Sequence, residues 1–183
     1  SKQYATANAF TDFQKTAYYF SCQKNFELNL KLLLSFVQHT HFTEQATEQE
    51  KKIIASEITM YQDEPSWIVF FNLLENMYHN HTVKNPIAGT VNSIQQVTKE
   101  VLQKSYEAYY TPENFCLVCA GDIQSDEILE MADKIMKPTN GHRAVSLFEK
   151  EPESVVKQYC QKDMSLIEPI FQIGFKQKPQ EES

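Results

Sequence analysis

The sequence predicts an α+β chain, with a few-stranded, largely antiparallel sheet and helices covering one face. Three observations lead there. Residues 4–22, YATANAFTDFQKTAYYFSC, hold two runs rich in Thr, Tyr, Phe and Ala, parted by a polar break at residues 12–15, which is the pattern of a hairpin. Several later stretches repeat apolar residues at helical spacing. Pro65, Gly89, Thr98 and Pro112 fall between those stretches, where starts, stops and turns belong. At 42% hydrophobic and 22% charged, the 183 residues are ordinary globular material with enough length for one core.

After the hairpin, residues 25–38, NFELNLKLLLSFVQ, carry an apolar stripe wide enough for a helix pressed on a sheet, with Asn25 as its N-cap. Residues 42–67, FTEQATEQEKKIIASEITMYQDEPSW, read as a helix from end to end. Thr43 or Thr47 caps it, and Pro65 stops it by Asp63 because the residue before a proline avoids helical geometry. Glu50 and Glu57 stand seven residues apart, close to two turns, so their side chains are offset by only ~20°. Ile53, Ile54 and Ile58 lie around the same line. Carboxylates beside buried isoleucines must be paired, hydrogen-bonded or bound to a cation, since an isolated buried charge is very costly. The other reading is a surface helix with solvated Glu and Lys side chains.

A strongly apolar helix follows from Pro65, which suits a first helical position. PIAGT at residues 86–90 is a turn for which Gly89 supplies positive φ. Thr98 opens the helix TKEVLQKSYEAYY, whose inward face is Val101, Leu102, Ser105, Tyr106 and Tyr109. Residues 115–120 read as a short buried strand and residues 125–136 as a last amphipathic helix. Residues 139–154 have linker composition, and 155–161 and 170–175 read as two further strands.

The stretches ANAFTDFQKTAYYFS, TEQEKKIIASEITMYQDEPSW, MYHNHTVKNPIAGTVNSI and ENFCLVCAGD, in this order along the chain, resemble the pitrilysin/insulinase family of inverted zinc peptidases. The resemblance covers nearly the whole chain. It implies a partial metallopeptidase-type α/β roll, with residues 1–138 as the C-terminal part of one peptidase-like domain and 155–183 as the start of a second. In that family zinc is held by two histidines of an H-x-x-E-H motif and a distant glutamate. Glu57 matches that glutamate, and Glu50 matches an acid that supports the site. Asn8, Ala9, Phe10 and Thr11 match an edge strand that pairs main chain to main chain with the peptide substrate.

One departure matters. No H-x-x-E-H occurs among the five histidines, His39, His41, His79, His81 and His142. Family spacing places that motif roughly 15–20 residues before Ser1. The expectation is therefore an internal piece of a zinc-dependent metalloendopeptidase, with no zinc bound and no cleavage by this chain alone. The alternative is a non-catalytic, peptidase-like scaffold subunit, in which Glu50 and Glu57 are plain helix acids.

The net charge of −7, with no basic cluster, argues against a nucleic-acid face. No apolar run approaches the ~18 residues of a membrane span, and no secretory signal is visible. Cys116 and Cys119 form a C-x-x-C, but alternation along a strand sends the thiols to opposite faces, against a shared metal or disulfide. Together with Cys22 and Cys160 they read as free thiols of a reducing, cytoplasmic setting. His39-x-His41 reads as a solvated loop rather than a metal pair, and His81 as structural. A sheet lacking its leading strands would expose an edge, so self-association is expected, alongside the remainder of the parent chain and a peptide as partners.

Overall fold

The structure, a computed structural model, describes residues 5–139, 141–145, 147 and 149–177. It forms two compact units. The first comprises the described residues within 1–47 and 98–145, the second those within 48–97 and 146–183.

The first unit opens with the expected hairpin, β1 (Ala5–Thr11) and β2 (Thr16–Cys22), antiparallel and in the register Thr11↔Thr16, Ala9↔Tyr18, Ala7↔Phe20. Asp12 shapes the turn. Its carboxylate accepts from Gln14 N and Lys15 N and pairs with the Lys15 ammonium at 2.8 Å. The Lys15 ammonium and these turn N–H groups hold the Asp12 carboxyl down at about 2. Next comes α1 (Phe26–Gln38), entered through Asn25 in the left-handed region at φ 57°. Asn25 occupies the N-cap position as expected, but its side chain caps nothing. The buried Asn29 donates from Nδ2 to Asn25 O at 2.9 Å, which ties down the start of the helix without satisfying any of its free N–H groups.

The unit is completed by α5 (Lys99–Tyr109), opened by the Thr98 side chain as expected, and by α6 (Ser125–Ile135). The core lies where α1, β2 and α6 meet. Leu30, Leu34 and Ile128 are buried, with Phe20, Phe26, Cys119, Ile123 and Met131 packed on them. Full burial of a leucine of this kind is worth roughly 1.5–3 kcal/mol. Helix α1 therefore covers one face of the hairpin, through Phe26 on Phe20 and Phe36 on Tyr18. The opposite face carries Phe10 and Tyr19, both about half exposed and edge-to-face at 6.3 Å.

Two expectations fail in this unit. Residues 115–120 form no ladder, because among the described residues no strand lies beside them to take their backbone bonds. Their alternation survives, with Cys119 turned to the core and Val118 82% exposed. Of the expected inward face of α5 only Leu102 and Tyr106 are covered, while Val101, Ser105 and Tyr109 are exposed. The covered aromatics are Tyr106 and its neighbour Tyr110, which stack at 4.7 Å.

Most of α2 (Glu44–Gln62) lies in the second unit, with α3 (Pro65–Met77) and the short α4 (Val91–Gln95). Thr43 is the residue that caps α2, accepting from Ala46 N at 3.1 Å. Ile68, Phe71, Leu74 and Met77 of α3 are buried. Gly89 adopts φ +76° in a turn closed by its N–H on Pro86 O, as the sequence requires. Gly174 lies against the Met77 thioether so closely that any Cβ would collide with it. The segments 155–161 and 170–175 are not strands. Like 115–120 they find no ladder partner among the described residues, and Tyr159, Phe171 and Phe175 stay exposed.

A carboxylate clasp holds this irregular segment. Glu151 accepts from three consecutive N–H groups, His79, Asn80 and His81, at 2.7, 2.7 and 2.8 Å. It also pairs at 2.6 Å with Lys176, whose ammonium donates to Met77 O and Ser154 O as well. Desolvation pushes the Glu151 carboxyl up, but the Lys176 ammonium and the three N–H groups outweigh it and hold it at about 2. Glu151 and Asp12 thus bind protons less readily folded than unfolded. The stability they contribute is complete above the ordinary carboxylate range and is lost as pH falls through about 2. Glu151→Gln is expected to lower the unfolding temperature at pH 7, with the gap to wild type narrowing towards pH 2 in a calorimetric pH series. An equal gap at both pH values would show that the carboxylate charge is not what holds the clasp.

Candidate functional site

Helix α2 presents two different sides. Its inward stripe is Thr47, Lys51 and Ile58, all buried, at offsets of four and seven residues. Lys51 reaches Glu48 at 2.8 Å. Glu50 and Glu57 lie on the outer side together with Ile53, which is 53% exposed. Of the two readings of this stripe, carboxylates against buried isoleucines and solvated helix acids, the structure has the second for Glu50 and Glu57. Ile58 is buried and Ile53 is not, because the 100° step of the helix puts Ile53 with the acids and Ile58 with Lys51. Neither Glu50 nor Glu57 makes a hydrogen bond or ion pair among the described residues, so no internal partner consumes either carboxylate.

Seven residues at 1.5 Å each separate the two acids by roughly 10 Å along the axis. A zinc–oxygen bond is about 2 Å, so one ion cannot be held directly by both. One carboxylate can serve as a ligand while the other acts only through intervening groups. Among the described residues no cluster of three or more His, Cys, Asp or Glu is arranged to hold a metal. The described residues thus offer single carboxylate oxygens rather than a complete set of metal ligands. His39 is engaged through Nδ1 with Ser35 O at 2.9 Å, and His81 Nδ1 accepts from Val83 N, which makes His81 a turn residue as expected.

The hairpin supplies the second feature. Strand β1 pairs with β2 only, and its other edge has no strand neighbour among the described residues. The turn bond from Asp12 N to Lys15 O sets the alternation. Phe10↔Ala17 and Asn8↔Tyr19 are the hydrogen-bonded pairs, and Ala7, Ala9 and Thr11 turn their N–H and C=O to the open edge. Two local bonds agree with this phase. Thr11 and Thr16 bring their hydroxyls to 3.0 Å, as a close non-hydrogen-bonded pair allows, and the outward N–H of Ala9 donates to the Asn8 side chain at 2.8 Å. Of the four residues singled out in the sequence, Ala9 and Thr11 offer backbone groups outward. Asn8 covers the Ala9 donor, and Phe10 sends its ring to the exposed face. The open row spans about 14 Å from Ala7 to Thr11, the reach of a short extended peptide.

Sequence reasoning missed the support beneath this edge. Tyr18, directly across from Ala9, brings its hydroxyl to 2.7 Å from that of Tyr110. The partners lie 92 residues apart, and no local signal in the sequence links them.

The described residues thus form a mixed α+β arrangement, an antiparallel hairpin with helices. Among solved structures the chain is similar to one described as an M16-like peptidase from Alicyclobacillus acidocaldarius, with TM-score 0.78 and 37% identity, covering 86% of this chain and 38% of that one. A protease from Helicobacter pylori shares the fold at TM-score 0.75 and 22% identity, covering 83% and 38%. Residues 2–91 match the family described as insulinase (peptidase family M16), and residues 96–183 match the peptidase M16 inactive domain. The chain belongs to the M16 insulinase family of peptidases. It is 41% identical over 97% of its length to the uncharacterized zinc protease YmfH of Bacillus subtilis, and 32% identical over 69% of its length to the uncharacterized zinc protease YmxG of the same organism. The chain spans 42% of the first relative and 31% of the second.

Proposed function

We propose that this chain is part of a zinc-dependent metalloendopeptidase that cleaves peptides bound as an added strand along β1. In this reading Glu57 is the third protein ligand of the zinc, and Glu50 orients the groups around it. The observation that carries the reading is the Glu57 carboxylate, exposed and without a partner among the described residues, on the helix that carries the family's glutamate pattern. The 41% identity to a protein named as a zinc protease supports it. When bound, zinc supplies a water whose pKa is lowered towards neutrality. This chain contributes one negative ligand through Glu57, whose charge helps set the net charge of the site. Glu50, too far along the helix to share the ion, acts through hydrogen bonds to neighbouring ligands. The histidine ligands and general base of H-x-x-E-H lie outside these residues, so the 183-residue chain does not cleave peptides by itself.

The edge of β1 supplies substrate binding. An incoming strand pairs with the Ala7, Ala9 and Thr11 backbone, displacing the Asn8 carboxamide from the Ala9 N–H. Main-chain pairing of this kind binds extended peptides with little demand on their side chains. The same edge makes association with a second copy of the chain, or with the rest of the parent protein, the expected behaviour when no peptide is bound. The free thiols of Cys22, Cys116, Cys119 and Cys160 favour a cytoplasmic setting. Among the described residues no helix is long and apolar enough to cross a membrane.

A second reading is a non-catalytic binding or scaffold subunit. It is favoured by the match of residues 96–183 to an inactive-domain family. The gene sequence immediately upstream of Ser1 separates the two. An H-x-x-E-H within about 25 codons supports the peptidase, and its absence supports the scaffold.

A further inference from the structure

We propose that Tyr18 and Tyr110 are positioning residues for the peptide-docking edge, their joined hydroxyls fixing β2 at the point that backs Ala9. This rests on the strand-addition reading above. Tyr18 is the register partner of Ala9, in a close non-hydrogen-bonded pair, so whatever fixes Tyr18 fixes the middle of the open row. Its hydroxyl meets Tyr110 Oη at 2.7 Å, and its ring lies edge-on to both Phe36 at 5.8 Å and Tyr110 at 6.3 Å. Tyr110 is itself immobilised. It closes the C-terminal end of α5, stacks on Tyr106 at 4.7 Å and meets Phe115 edge-on. Tyr106 is anchored in turn by its hydroxyl on Val37 O at 2.8 Å and by Phe42. Burial and the neighbouring hydroxyl push the Tyr110 phenol above its ordinary range, so the bond persists as a neutral one through physiological pH.

A two-stranded hairpin is marginal by itself, and an edge that must be ordered before a peptide can pair loses that ordering free energy from the affinity. The tyrosine pair supplies this order in advance, from a helix end rather than from the sheet. The side chains it meets are Phe36, Tyr106 and Phe115, none of which has a part in the proposed cleavage. Its loss should therefore appear in peptide binding and not in turnover.

The test uses the full-length protein that contains this chain and a fluorescein-labelled extended peptide rich in Val and Thr. Tyr110→Phe and Tyr18→Phe are each expected to weaken binding about fivefold, the equivalent of one half-buried hydrogen bond, and to raise KM by the same factor with kcat unchanged. The double variant should be no weaker than either single one, because one bond is removed in all three. Thr90→Ala removes a hydroxyl bond of similar worth, the N-cap of α4 on Ser93 N, that has no part in this aromatic relay. It should lower the unfolding temperature while leaving peptide affinity unchanged. Unchanged affinity in both Tyr18→Phe and Tyr110→Phe, additive losses in the double variant, or an equal loss in Thr90→Ala would each overturn the proposal. Ala9→Pro separates its failure from that of the docking reading. If Ala9→Pro weakens binding and Tyr110→Phe does not, only the tyrosine proposal falls. If Ala9→Pro has no effect, or wild type does not bind the peptide, strand addition itself is refuted and the tyrosine role goes with it.

Discussion

In the full-length protein, Glu57→Gln is expected to reduce peptide cleavage to below about 1% of wild type, whereas Glu50→Gln leaves about 1–10%. The difference follows from helix geometry. The two carboxylates share a face but stand about 10 Å apart along α2, so only one can bond to a given zinc ion. Losing a direct anionic ligand removes a bond and a charge from the site, while losing a group that acts through another typically costs 10–100-fold. Both side chains are exposed and unpaired among the described residues, so neither substitution breaks an internal contact. The folded state should be unaffected, which unfolding curves of both variants can check. Equal cleavage by wild type and Glu57→Gln would end the assignment, and a greater loss in Glu50→Gln would exchange the two roles.

The second large effect concerns the edge. Ala9→Pro is expected to weaken peptide binding about tenfold or more while the hairpin stays folded. The Ala9 N–H points away from β2 and bonds only to the Asn8 side chain, so proline removes no ladder bond there. Proline is tolerated on an edge strand for that reason. It nevertheless deletes the central outward donor and places a ring where an added strand must lie. Asn8→Pro is the contrasting variant, because the Asn8 N–H faces Tyr19 and its loss should destabilise the hairpin itself. If Ala9→Pro leaves peptide affinity untouched in a fluorescence titration, the substrate does not dock on β1.

The sequence was most informative where structure is local. The hairpin, the Thr98 start of α5, the Pro65 start of α3 and the positive φ of Gly89 follow from residue types whose preferences act over a few positions. It was least informative where structure depends on a partner. Residues 115–120, 155–161 and 170–175 have strand-like composition, yet a strand exists only beside another strand, and none of these segments has one among the described residues. The facing of α2 stayed open between two readings for a related reason. Isoleucines occur on both sides of this helix, and a buried lysine, Lys51, stands on the inward stripe where an apolar residue is the ordinary choice. The Tyr18–Tyr110 bond and the Glu151 clasp join residues 92 and about 70 positions apart, and no spacing rule reaches that far. At the candidate site, the four edge residues and two acids were legible only through resemblance. The sequence pattern alone could not say that Ala9 and Thr11, rather than Asn8 and Phe10, offer their backbone outward.

The central claim is that Glu57 belongs to a zinc site completed by residues outside this chain. Metal analysis of the purified full-length protein after dialysis tests it most directly. The account predicts close to one zinc per chain in wild type and in Glu50→Gln, and a small fraction of that in Glu57→Gln. Zinc retained at the wild-type level by Glu57→Gln, or no zinc in the wild-type protein, would contradict it.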